Sequence, residues 1–371
     1  MTKINILLKP TNACNLRCRY CFHDEIGYDE KIMTIESFKR ICELTIPYYD
    51  QITFIWHGGE PLCAGEVFFD RSFRIQDEMM KKYNSTVKNV IQTNATLIND
   101  KFIELFKKNN VKVGISYDGV KNEWLRGQTE SVLNGIEGLK EVDINPGIIS
   151  VVTGYNLSSI FETYELMKEK NLPVNFNHLS VTDLCDENNY LNMTVEEYSN
   201  AMIDLYNYWI DDELCNINVN PFTHYLKMIL NNEHPVCKHA SCLGRWLSID
   251  SSGDISACNR YFPPEFCMGN VHELENIEDA YKSIGFRELL MGSVKRRELC
   301  KSECEVYNYC LGGCNNEAYH ENGISSNNGF SCKVFKSLFT YIYNDVQSRK
   351  HESGFEAKNQ KLSEFVKGLV N

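Results

Sequence analysis

Three cysteines crowd eight residues near the start of the chain, Cys14, Cys18 and Cys21 in CNLRCRYC. Iron–sulfur clusters and structural zinc both want four ligands, so the triplet leaves one corner to be filled. His23 follows at once and offers a Cys3His zinc site. Structural zinc more often draws its ligands from two spaced pairs, however, and His23 comes too soon after Cys21 to close a tetrahedron comfortably. The other option is a fourth corner kept open for a small molecule, which would make this a cofactor site.

A second set of thiols lies in the last third, at Cys237, Cys242, Cys258, Cys300, Cys304, Cys310, Cys314 and Cys332. Cys42, Cys63, Cys185, Cys215 and Cys267 are scattered and read as core or incidental thiols. Sixteen cysteines in 371 residues would be a disulfide framework in a small secreted protein. Here the opening MTKINILLKPTNAC is too short in its apolar run for a signal peptide, so metal ligands in a reducing compartment are expected. No stretch approaches the roughly 18 apolar residues of a membrane span, and a cytoplasmic protein with no membrane partner is expected. A net charge of −12 without a Lys/Arg block argues against nucleic acid.

The elements that must position these residues show a regular alternation. Candidate strands are 4–9, 52–57, 88–93, 112–117, 147–152 and 174–178. Helical patterns stand between them, such as TIESFKRICELT and NDKFIELFKKN, with Thr34 and Asn99 as N-caps. Strand and helix repeated about six times predict a parallel sheet with right-handed crossovers, either doubly wound or an incomplete barrel. The cysteine triplet and the polar segments HGGEP (57–61), QTNAT (92–96), SYDG (116–119), VVTGYN (151–156) and NHLS (177–180) all fall at strand carboxyl ends. That is the face where parallel α/β enzymes build their sites, and an arc of strands would gather them around one cavity.

Residues of about 190–232 read as a helical bridge, with TVEEYSNAMIDLYNYWIDDEL and PFTHYLKMIL as helices. From Cys237 to about 345 the text is short, Gly- and Cys-rich and weakly periodic, with a hairpin at 247–258 turning at SSGD, and it needs staples to stay folded. The last stretches, KVFKSLFTYIYNDVQ and GFEAKNQKLSEFVKGLV, read as two helices.

Cys14-x3-Cys18-x2-Cys21 with Tyr20 before the last cysteine, followed after the second strand by Gly58-Gly59-Glu60-Pro61, resembles the radical S-adenosylmethionine (SAM) superfamily. The resemblance implies an α/β fold, a partial (β/α)6 TIM-like barrel over about 1–190. It also implies that three thiolates hold a 4Fe-4S cluster whose fourth iron is chelated by SAM. By the same resemblance Gly58, Gly59 and Glu60 would meet the SAM amino group. Thr93, Asn94, Ser116 and Asp118 would meet its ribose and carboxylate, and Val152 or Thr153 its adenine. As alternatives, SYDG is a plain turn and QTN a helix cap. His57 and His178 could face the cavity or be structural.

The eight later cysteines resemble the SPASM extension, which holds two auxiliary 4Fe-4S clusters and here would span about 237–345 after a bridge at 191–236, with a C-terminal helix at 346–371. By that resemblance Cys237, Cys242, Cys258 and Cys314 would hold one cluster, and Cys300, Cys304, Cys310 and Cys332 the other. The three residues KSE between Cys300 and Cys304 depart from the family's usual two. A pair of zinc ribbons in a metal-stabilised binding module is the non-enzymatic alternative.

SPASM proteins mostly modify peptides and proteins. Sulfatase maturases, which make formylglycine from Cys or Ser, carry an aspartate directly after the hairpin cysteine. This chain has Asn259 there, and an amide is no general base near neutral pH. The expectation is therefore an oxidoreductase that modifies a ribosomally made peptide by crosslink, thioether or epimerisation, with formylglycine formation as the alternative. An electron donor such as ferredoxin or flavodoxin is implied. With the triplet at residue 14, no leader-binding domain is expected before the barrel.

Overall fold

The structure, a computed structural model, describes residues 2–21, 30–179, 190–240, 242–258, 260 and 264–349. His23, Cys185, Asn259 and the last candidate helix lie outside these. Among the described residues the strands are β1 (Lys3–Leu8), β2 (Gln51–Trp56), β3 (Thr86–Thr93), β4 (Lys112–Ser116), β5 (Gly147–Val152), β6 (Val174–His178), β7 (Val219–Asn220), β8 (Trp246–Ile249) and β9 (Ile255–Ser256). The chain divides into two units, Met1–Ile149 with Cys242–Gly292, and Ser150–Ser241 with Ser293–Asn371.

In the first unit, which takes in β5 as far as Ile149, the strand order is β5, β4, β3, β2, β1, β8, β9, parallel throughout except for the β8–β9 hairpin. Leu8 pairs with Trp56, Thr93 with Ile115 and Ser116 with Ile149, so the loops after β1 to β4 leave from one edge. Helices return the chain between strands. Ile35–Thr45 starts at Thr34, whose side chain accepts from Ser37 N, and Asp100–Lys108 starts at Asn99, which accepts from Phe102 N. Both caps are as the sequence leads one to expect. The buried face of β2 carries Trp56, against which Phe38 (5.3 Å between ring centroids) and Phe69 (5.1 Å) pack. Its indole N–H donates to Asn89 Oδ1, which also accepts from Gln76, so the polar tip is satisfied inside the core.

In the second unit β6 and β7 pair in parallel. Helix Phe330–Arg349 packs against Val195–Asp211, where Tyr206 donates to Asp345 (2.8 Å), and against Phe222–Asn231, where Tyr225 meets Phe335 at 5.3 Å. Val195–Asp211 begins in a capping box formed by Thr194 and Glu197.

Two features differ from the sequence reading. The hairpin does not stand alone, because β8 pairs in parallel with β1, Leu8 opposite Ile249. The supposedly weakly periodic stretch contains a 20-residue helix, Ile284–Glu303. Its buried stripe is Phe286, Leu289, Ser293, Arg296 and Cys300, while Ile284, Leu290, Met291 and Val294 are exposed. Polar residues inside and apolar ones outside cancel the amphipathic signal.

Candidate active site

The loop after β1 brings the first three thiols together. Leu16 N donates to Cys14 Sγ at 3.4 Å, and Cys21 N donates to the Cys18 carbonyl at 3.1 Å. All three are half-buried. Burial, with the neighbouring thiols of the triplet contributing, pushes Cys14 and Cys18 up to about 11. Such thiols become thiolates readily only when a cation joins them. Cys63, three residues after Glu60 and unremarkable in sequence, stands beside Cys14 as well.

HGGEP docks on this loop backbone to backbone. Gly59 N donates to the Thr11 carbonyl (3.2 Å) and Glu60 N to the Ala13 carbonyl (2.8 Å). A Cβ on Gly59 would lie 2.3 Å from the Ala13 oxygen, so only glycine fits. Glu60, 1% exposed, accepts from Leu62 N (3.0 Å), Thr93 Oγ1 (2.7 Å) and Asn94 N (2.7 Å). Asn94 in turn donates to Asn15 Oδ1 at 2.9 Å and points the same amide at Cys14 Sγ, 4.0 Å away. Gly58, Gly59, Glu60, Thr93 and Asn94 thus form one network with the Cys14 loop. His57 Nδ1 accepts from Gly58 N, closing the turn.

A second clasp holds the Cys18 side. Arg19 stacks its guanidinium 4.0 Å over the Trp124 ring and bonds the Trp124 carbonyl. Asp118, fully buried, pairs with Arg126 (2.9 Å) and accepts from the Tyr20 hydroxyl, while Arg126 Nη1 lies 3.9 Å from Cys18 Sγ. Ser116 accepts from Gln92. Nothing in the sequence pattern marks Arg126, which reaches this site only through the fold.

The remaining candidates fall as follows. Cys242 and Cys258 belong to the first unit, where burial pulls the Lys9 ammonium down from its usual range and Cys258 and Asp250 oppose that pull. Asp254 bonds Asn270 at the hairpin turn. Val152 and Thr153 are buried in the second unit. The Val152 carbonyl accepts from Leu179 N, and Thr153 bonds Asn156. His178 packs edge-on against Tyr198 and Phe330.

Also in the second unit, an open cavity of about 700 Å³, mouth included, is lined by Cys300, Cys304, Cys310, Cys314, Cys332 and His239. Burial pushes Cys310 up to about 12, with Cys332, Cys300 and Cys304 adding to it. His239, tilted against Phe335 with ring centroids 4.3 Å apart, is held neutral, pulled down to about 3 by burial. Cys237 lies in a short turn, exposed. Among the described residues no three His, Cys, Asp or Glu side chains converge closely enough to hold a single metal ion.

A model of the radical SAM superfamily matches residues 8–167. A cysteine-type anaerobic sulfatase-maturating enzyme of Clostridium novyi (strain NT) is 28% identical over 95% of this chain and 100% of its own length. An uncharacterized protein of Methanocaldococcus jannaschii is 30% identical over 79% of this chain and 98% of its own. The solved structure of native anSMEcpe with bound AdoMet and Cp18Cys peptide superposes with a TM-score of 0.83 over 93% of this chain and 98% of that one, at 24% identity, which shows a shared fold. With the cysteine triplet and the glycine turn docked on it, these likenesses establish that the chain belongs to the radical SAM superfamily of enzymes.

Proposed function

We propose that the chain uses SAM-derived radical chemistry to modify a residue of a ribosomally made peptide. The observation that carries this reading is the network joining Cys14, Cys18 and Cys21 to Gly59, Glu60 and Asn94. It offers three thiols on one loop, each half-buried, with backbone and carboxylate groups beside them for an amine. A 4Fe-4S cluster with SAM on its open iron supplies, when bound, the electron that splits a carbon–sulfur bond and frees a 5′-deoxyadenosyl radical. The protein's own part is to hold that geometry. Cys14 is fixed by Leu16 N and Asn94, Cys18 by Arg126, and Glu60 fixes the strand-end turns that would receive the methionyl amine.

Five thiols line the second unit's cavity, Cys300, Cys304, Cys310, Cys314 and Cys332, more than the four that one tetrahedral zinc takes, and this supports a polynuclear cluster. Cys300, Cys304, Cys310 and Cys332 would hold it, one of two auxiliary clusters in a SPASM-like region. An external one-electron donor of the ferredoxin or flavodoxin type would feed the clusters. No described helix is long and apolar enough to cross a membrane.

The peptide substrate is supported by the Cp18Cys peptide bound in the anSMEcpe structure. The kind of modification rests on Asn259, where the sulfatase maturases' aspartate would stand. Formylglycine formation is the second reading, favoured by full-length likeness to the Clostridium novyi enzyme. Incubating the reconstituted protein with SAM, reductant and a sulfatase-type Cys or Ser peptide separates the two. No aldehyde product is expected by mass, although 5′-deoxyadenosine forms uncoupled. A clear formylglycine mass would restore the second reading.

A further inference from the structure

In the second unit's cavity a buried cation stands among the thiols. Arg296 lies on helix Ile284–Glu303 one turn before Cys300, lines the cavity and is 2% exposed. Its Nε donates to the Gly312 carbonyl at 2.8 Å, one Nη to Asn315 Oδ1 at 2.6 Å and the other to the Ile324 carbonyl. All three acceptors are neutral. Among the described residues no carboxylate is within ion-pair distance of it, whereas Arg126 in the first unit has Asp118 at 2.9 Å.

A buried charge without a countercharge costs several kcal/mol. Burial accordingly pulls the Arg296 guanidinium down from its usual range, with Arg297 adding to this, and the groups that oppose it are Cys314, Cys300 and Cys310 in their thiolate form. The fold commits two backbone carbonyls and an amide to pinning a cation against thiols. Gly312 contributes its carbonyl from a left-handed turn (φ +90°) between Leu311 and Gly313, both also left-handed. Such an arrangement makes sense if the cavity normally holds something negative.

We propose that Arg296 is the fixed countercharge of this cavity, and that it raises the reduction potential of the cluster held there. The inference rests on the reading of Cys300, Cys304, Cys310 and Cys332 as ligands of a 4Fe-4S cluster. Four thiolates around a cluster core of charge 2+ leave a net 2−, and uptake of one electron makes it 3−. A nearby cation stabilises the more negative state more, and in a buried wall little solvent or salt screens it. Pinned by three acceptors, the guanidinium cannot swing away to water, so its effect is permanent.

The test uses the full-length chain with Cys14, Cys18 and Cys21 replaced by Ala, so that only auxiliary clusters report. After anaerobic reconstitution, midpoints are read by redox titration followed by EPR. Arg296→Gln removes the charge and should make one cluster about tenfold harder to reduce, a fall of about 59 mV for one electron. Arg296→Lys keeps the charge and should hold the midpoint close to that of the parent. An unchanged midpoint in Arg296→Gln, or an equal fall in both variants, overturns the proposal. If Arg296→Gln fails to fold or to take up iron, Arg296→Lys decides. A parental midpoint supports the countercharge, and loss of the cluster there too makes Arg296 a mere clasp and overturns it. A parent that takes up no iron would instead overturn the auxiliary-cluster reading itself, and the proposal with it.

Discussion

Glu60 concentrates at one residue the tension between burial and chemistry. Three donors favour its anion, but burial outweighs them and lifts its pKa from 4.5 to about 7. A folded pKa above the unfolded one means that the folded state binds the extra proton. The stabilisation is full below pH 4.5 and is lost as pH rises through about 7. Glu60→Gln removes this titration and turns one accepting oxygen into an NH2 facing a donor. It should cost about 1–3 kcal/mol at pH 5, with the gap in thermal midpoint narrowing by pH 8. A gap independent of pH would contradict the assignment. The residue types here are legible in the amino-acid sequence, since thiols at such spacing and a GGE turn have few other uses. Cys63 and Arg126 are not, because their roles come from contacts across 49 and 108 positions of sequence, to Cys14 and Cys18.

At the scale of elements, the strands and their caps can be read because each is a local matter. Alternating burial in β2 and a side-chain oxygen at Thr34 or Asn99 declare themselves within a few residues. Pairing of β8 with β1 cannot be read, since it joins segments more than 200 residues apart. Helix Ile284–Glu303 is hidden for a different reason: its inward face carries Ser293 and Arg296 where apolar residues are expected. Between elements, the loops after β1 and β2 fit tightly at Gly59. Gly59→Ala should force these loops apart and break the bonds of Gly59 N and Glu60 N. Reconstituted protein should then lose about four irons per chain while keeping those of the auxiliary sites. Full iron and unchanged SAM binding in Gly59→Ala would show that the contact is dispensable.

The whole molecule comprises an α/β unit carrying the thiol triplet and a second unit whose thiols surround an open cavity. The parallel β/α order follows from the repeating pattern of strands and helices, and the family from Cys14, Cys18, Cys21 and Gly58 to Pro61. The substrate does not follow, because its recognition is spread over surfaces that no short motif encodes. The central claim is that the triplet loop is the SAM-cleaving site. It is tested most directly by replacing Cys14, Cys18 and Cys21 together with Ala, reconstituting anaerobically, and measuring 5′-deoxyadenosine after addition of SAM and dithionite. Wild-type protein should produce it with or without peptide, and the triple variant should produce none while keeping its auxiliary irons. 5′-Deoxyadenosine from the triple variant at the wild-type rate would contradict the account.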